Sequence, residues 1–205
     1  MKGWMIALLV VGGLFMCGLV CVLFIAGQYN KSVSLDEECK QAMGDVQSTY
    51  QRRLDLLPNL ANVVERYAQH EKGTLQAVAE ARSMKPSITL SKEVLEDPDQ
   101  LKKFEKQQGE LASLFSRLIS VQEQYPNLKA DEQFLNLQRE IAGTENRINI
   151  ARKDYNAHVA TLNINVRGFF SSIAANMAGV KMRTEFQADE AVAHAPSIMA
   201  VQPQR

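Results

Sequence analysis

The first pattern along the chain is unbroken apolarity. From Trp4 to Gly27 it reads WMIALLVVGGLFMCGLVCVLFIAG, without a single charge. A bilayer's hydrocarbon core takes roughly 20 apolar residues of helix to cross, so the run predicts one membrane anchor over 4–27, after a flank of residues 1–3. The competing reading is a cleaved signal peptide with Lys2 as its charged flank. Such a peptide has an apolar region of roughly 7–15 residues and a small-x-small cleavage pattern. This run is longer, Phe24-Ile25-Ala26-Gly27-Gln28 has no such pattern, and neither Cys17 nor Cys21 follows a small residue as lipid attachment requires. A retained anchor is the expectation.

Beyond Gly27 the pattern changes to amphipathic helix. Leu35, Cys39, Ala42/Met43, Val46, Tyr50 and Leu54/Leu57 recur at threes and fours. Ser34-Leu35-Asp36-Glu37 fits a capping box, which argues for a fresh helix start near Ser34, but no strong breaker separates it from the anchor, so a continuous helix stays equally open. Pro58 predicts a kink or a break. A helical face then continues from Leu60 to about Arg82 and stops before Pro86. Asp97-Pro98 marks the next start, and that helix ends before Tyr125-Pro126. Asp131 caps the longest soluble helix, whose seam is Phe134, Leu137, Ile141, Thr144, Ile148, Ala151, Tyr155, Val159, Leu162, Val166 and Phe169. Its mean step of about 3.5 residues is the period of close antiparallel or coiled-coil packing. A short helix follows over 171–178, and from Met182 the sequence loses its period and reads as a disordered tail over 182–205. The fold expected is all-α: an N-terminal transmembrane helix and an antiparallel bundle of long helices over 28–181.

Charge removes one class of function. Lys plus Arg and Asp plus Glu balance at 23 each, so no field of one sign points to nucleic acid. Only Cys39 of the three cysteines lies outside the anchor, which excludes a disulfide framework or a cysteine zinc site in the soluble part. The Glu-x-x-His pairs of di-iron bundles are absent, because Tyr67, Tyr155 and Ala191 stand three residues before His70, His158 and His194. His70-Glu71 lacks the second histidine of a zinc-protease signature, and no nucleophile elbow or P-loop is present. No catalytic residue, metal or cofactor is expected.

Two sets of residues remain. Gly13, Cys17 and Cys21 recur every four residues and form a small-residue face of the kind that lets spans approach closely. Arg52, Arg53, Asp55 and Asn59, with Glu145, Arg147, Arg152, Tyr155 and Asn156, are the unusual polar residues of the helices. Glu145, Arg147 and Arg152 have no opposite charge three or four positions away, so buried partners would come from another helix. The alternatives are an interhelical network that sets bundle register and a solvated face worth little.

The same residues carry a family resemblance. Arg52-Arg53-x-Asp55-Leu56-x-Pro58-Asn59-Leu60, His70-Glu71-x-x-x-Leu75-x-x-Val78-x-x-Ala81-Arg82, Glu123-x-Tyr125-Pro126-x-Leu128-Lys129-Ala130 and Thr144-Glu145-x-Arg147-Ile148-x-x-Ala151-Arg152-x-x-Tyr155-Asn156 resemble the LemA family. Phe186 echoes a late aromatic position, while Phe169-Phe170 stands where the family commonly has Phe-Pro, which puts a sharp end to the long helix in question. The resemblance implies a bacterial single-pass membrane protein with an antiparallel helical bundle and no settled enzymatic activity.

The function expected is therefore a non-enzymatic, membrane-tethered scaffold in the bacterial inner membrane. Its partners would be the lipid bilayer and further copies of itself, with Cys39 as a natural cross-linking handle. The alternative is an accessory or sensor subunit docking on another membrane protein, such as a protease. The short N-terminal flank is easy to translocate, which leans toward the bundle facing the cytoplasm.

Overall fold

A computed structural model describes residues 3–67, 72–84 and 88–187. His70, Glu71, Pro86, His194 and the expected tail beyond Gln187 lie outside the described residues. Among those described, every regular element is helical. The elements are α1 (Gly3–Tyr67), α2 (Lys72–Ser83), α3 (Lys92–Glu96), α4 (Pro98–Ser120), α5 (Pro126–Lys129), α6 (Glu132–Arg167) and α7 (Phe169–Met177), with a 3-10 turn at Val121–Glu123.

The apolar stretch and the first soluble helix are one helix of 65 residues. No fresh start occurs at Ser34, whose hydroxyl donates to Glu38 3.3 Å away instead of capping an amide. Extending an existing helix costs one residue's freedom per hydrogen bond, whereas starting another repeats the unfavourable nucleus. With no glycine or proline over 28–34, continuation wins. The helix also runs through Pro58 without a break. Pro58 is exposed, while neighbouring Leu56, Leu57, Leu60 and Ala61 are buried. Packing on one face holds what propensity alone would interrupt. α1 ends at Tyr67 and α2 begins at Lys72, so the face read as one helix over 60–82 belongs to two.

From there the chain runs down, up and down beside α1. Asp97 accepts from the amides of Asp99 and Gln100 to start α4, and Asp131 accepts from Phe134 N at 2.9 Å to start α6. Tyr67 donates to the same Asp131 carboxylate at 2.6 Å, and that bond holds its pKa below the ordinary value. α6 is the main partner of α1. Leu57, Leu60 and Val64 of α1 meet Leu114 and Leu118 of α4 and Phe134 of α6 in a core at the end far from the apolar stretch. Cys39, Val46 and Tyr50 meet Phe104, Tyr155, Val159 and Leu162 in a second core at the near end.

α6 stops at Gly168, whose backbone is extended, and Ser171 donates to the carbonyl of Asn165 there. A Cβ on Gly168 would fall 2.4 Å from the Ser171 hydroxyl, so glycine makes the sharp end that the missing proline put in question. α7 ends in a Schellman motif. Gly179, at φ +68, donates to Asn176, and Val180 donates to Ala175. Val180 is then buried, and the chain does not become a tail at Met182: residues 181–187 lie extended along the bundle. One seam expectation also reverses, since Phe169 is 80% exposed.

Leu60→Ala removes a side chain with no exposed surface and is expected to cost about 2–5 kcal/mol, while Leu75→Ala on the partly exposed face of α2 costs under about 1. Denaturant unfolding in mild detergent, followed by circular dichroism, checks the contrast.

Candidate functional site

Asn156 and Asn163 stand seven residues apart on α6, so they share a face and lie about 10 Å apart along the axis. An extended chain covers a similar distance, about 10 Å, in three residues. The segment after Gly179 uses this match. Asn163 donates to the carbonyl of Arg183 at 2.8 Å and accepts from its amide at 3.0 Å. Asn156 does the same for Phe186, at 2.8 and 2.9 Å. Each side-chain amide thus pairs with a peptide group as a neighbouring strand would. On the other side, Thr184 N donates to Leu95 O at 2.7 Å, which ties the strap to α3.

The side chains around these two amides close the latch. Arg152 pairs with Glu105 of α4 at 3.0 Å, donates to the carbonyl of Gln187 and lies 5.2 Å from the centre of the Phe186 ring. Tyr155, fully buried, packs edge-on against Phe186, and burial pushes its hydroxyl pKa up. Arg183 is the most enclosed charge: its side chain has no exposed surface and donates to Asp36 of α1 at 2.7 Å. Its Nε and Nη1 have no hydrogen-bond partner among the described residues. A buried cation held by one carboxylate contributes specificity of position more than stability. One turn toward the apolar stretch, Ser32 donates to Asn165 at 2.7 Å, both buried.

The polar residues singled out in the sequence fall into two groups. Arg152, Tyr155 and Asn156 lie in the latch, and Arg53, itself buried, reaches Glu145 of α6 at 2.8 Å. That contact is an ion pair by distance, its Nε pointing too far off line for a hydrogen bond. Arg52 pairs with Glu140 at 2.7 Å on the surface. Asp55 and Asn59 face solvent and among the described residues bond along α1, to Gln51 and to the Asp55 carbonyl, and Arg147 is exposed. Gly13, Cys17 and Cys21 are all exposed on the apolar stretch. Ser32, Asp36, Asn163, Asn165 and Arg183 belong to the connected set, yet no helical or heptad pattern singles them out.

Arg53, Arg152, Glu105 and Glu145 also wall a cleft of about 300 Å³ between α1, α4 and α6. Each arginine there faces a carboxylate, so the cleft offers no unbalanced charge to an ionic ligand. A smaller cleft of about 80 Å³ lies between α1 and α4, where Gln47 and Gln107 bond the backbone of Leu90 and Ile88. Among the described residues no three of His, Cys, Asp and Glu converge to hold a metal ion. His158 lies at the surface between Glu38 and Asp154, at 3.4 and 3.9 Å. Cys39 is fully buried, and burial pushes its thiol pKa up to about 11. It is no cross-linking handle.

The LemA family model matches residues 42–199, well over half of the chain. The chain belongs to the LemA family. A protein LemA of Metamycoplasma hominis is 26% identical over 164 residues, covering 80% of this chain and 71% of its own. Magnetosome proteins MamQ 1 and MamQ 2 of Paramagnetospirillum magneticum are each 23% identical over 206 residues, covering 91% of this chain and 74% of theirs. The LemA match covers α6 and the strap together, the two sides of the latch.

Two measurements test the latch. In the protein as it stands, trypsin is expected to cut slowly after Arg183. The double variant Asn156→Ala with Asn163→Ala loses bonds worth about 1 kcal/mol each, and cleavage there is expected to speed up about tenfold or more in mass-spectrometric time courses. Separately, Cys39 should resist maleimide or iodoacetamide even at pH 9, where an ordinary thiol is largely ionised, and react quickly once denaturant unfolds the bundle.

Proposed function

We propose that this LemA-family chain is a non-enzymatic, membrane-tethered scaffold that self-associates in the bacterial inner membrane, with its bundle on the cytoplasmic side. The observation that carries the reading is the unbroken α1. One helix is long and apolar enough to cross a membrane at its N-terminal end and forms the spine of the bundle at the other. Such a build holds a folded body at fixed height and orientation over a bilayer, which suits a scaffold. The larger cleft is consistent with the same reading, because its two arginines already face carboxylates. The magnetosome relatives are named for a cell structure rather than for a reaction, which fits a structural role.

Self-association would use the exposed face of Gly13, Cys17 and Cys21, where small side chains let two spans come close. Mild oxidation of native membranes is expected to trap a disulfide-linked dimer through these cysteines, and Gly13→Ile to reduce its yield several-fold. Mass measurement in gentle detergent gives the number of copies. A monomer in both experiments sinks the scaffold reading. Copurification of a stoichiometric foreign membrane enzyme would favour the accessory-subunit reading instead. Lys129 is exposed at the far end of the bundle, and Cys39 is shielded, so Lys129→Cys reports the side of the membrane. On the cytoplasmic reading, an impermeant maleimide labels it only after the cells are opened.

A further inference from the structure

The exposed side of α7 is too apolar for a surface in water. Phe169, Phe170, Ile173 and Met177 are 80, 57, 49 and 69% exposed. At 3.6 residues per turn these four fall within an arc of about 100°. The opposite side carries Ala174 and Ala175, buried against the bundle. The helix contains no charged residue. Interior packing therefore accounts for one side of α7 and leaves the other with large side chains and nothing over them.

The position of α7 says what covers that side. The Phe170 ring packs edge-on against the Phe24 ring of α1, with centroids 5.7 Å apart. Phe24 lies within the uncharged run, seven residues before Lys31, the first charge beyond it. That is about 10 Å of helix inside the first charged level. The start of α7 therefore sits beside the last turns of the apolar stretch, where α6 ends. From there the helix rises until Ala175 joins the cluster that contains Leu35 and Val180. Exposed basic side chains stand beside it, Arg167 just before Gly168 and Lys31 on α1, while Lys181 just after the Schellman turn pairs with Glu96 at 3.4 Å. No Asp or Glu occurs from Tyr155 to Thr184. An apolar arc continuous with the span and edged by cations is the chemistry of a helix lying in the headgroup and acyl-chain boundary.

We infer that α7 is a second membrane contact, with Phe169, Phe170 and Ile173 inserted into the acyl region of the leaflet that α1 leaves at Lys31. The occupant of the exposed face is lipid. The inference rests on the apolar stretch crossing the bilayer, but not on self-association.

The test uses the full chain in vesicles of phosphatidylcholine and phosphatidylglycerol carrying brominated acyl chains, which quench tryptophan on contact. Trp4, the one native tryptophan, is first replaced as Trp4→Phe. Single probes are then placed as Phe15→Trp in the span, Phe169→Trp on α7 and Leu135→Trp at the far end of α6. Ile173→Trp serves as a second α7 probe should the first fold poorly. Quenching at position 169 is expected to lie within about twofold of that at 15 and several-fold above that at 135. Quenching at 15 with none at 169 or 173 overturns the inference and leaves the anchor standing. No quenching at 15 overturns both. Blue-shifted but unquenched emission at 169 shows protein over this face, a second copy or a partner, and overturns the lipid assignment.

Discussion

The pairing of α1 with α6 is the constraint on which the other contacts depend. α1 carries an apolar face from Leu35 to Val64, and α6 presents Phe134 through Leu162 against it along nearly its whole length. Two long helices side by side bury one stripe each but leave the flanks open, and α2, α3 and α4 close one flank. Arg52–Glu140 and Arg53–Glu145 sit where the two helices face each other, so a slip by one turn would set each charge against the wrong neighbour. Their contribution to stability is small, the exposed pair least of all. Their contribution to register is larger, because a misaligned buried Arg53 is costly.

The same pairing shows what a one-dimensional pattern can and cannot reveal. The seam of α6, the caps at Asp97 and Asp131 and the all-helical class were legible because period and capping are local properties. Ser34 and Pro58 are local signals of the same kind, and neither interrupts α1. Each is a real local signal, and each is outweighed: the first by the low cost of extending a helix already formed, the second by leucines on the opposite face of Pro58. The strap was illegible for a different reason. An extended segment held through its backbone needs no side-chain period, so nothing in KMRTEFQ announces that it is bound. The trace it leaves is on its partner, in two asparagines seven residues apart on a helix where asparagine has no intrinsic advantage. Gly179 was a readable sign as well, because a glycine followed by valine after a short apolar helix fits a Schellman end. Among the assigned polar residues, Arg152, Tyr155 and Asn156 joined the latch and Glu145 meets Arg53, while Arg147, equally next to the α6 seam, went to solvent with Asp55 and Asn59. Periodicity locates a seam well and assigns its flanks poorly.

The latch also bears on where positive charge lies. Counted along the sequence, the residues flanking the apolar stretch are nearly neutral in their message: Lys2 before, Lys31 and Lys40 after, with acidic neighbours between the last two. Folding changes that count. The return of α6, whose Asn165 meets Ser32, brings exposed Arg167 close to Lys31, while Lys181 after the turn at Gly179 faces Glu96 at 3.4 Å. The cation that folding adds beside Lys31 is therefore Arg167.

A continuous helix has a mechanical consequence that a hinged anchor does not. In a hinged protein the span and the bundle rotate independently, and a small-residue face in the membrane bears no fixed relation to any face of the soluble part. In α1 each residue turns the axis by about 100° and raises it about 1.5 Å, so the direction of Gly13, Cys17 and Cys21 fixes the direction of the bundle. Adding or deleting one residue over 28–33 would disturb the Ser32–Asn165 bond and turn the span against the bundle by a quarter of a circle or more. It would also pull Phe24 away from Phe170. A helix anchored at one line can still spin about that line. A second attachment at α7 removes the spin, and two copies joined through their spans would then present the same bundle faces to each other every time. Repeatable presentation of that kind is the geometric requirement for a scaffold.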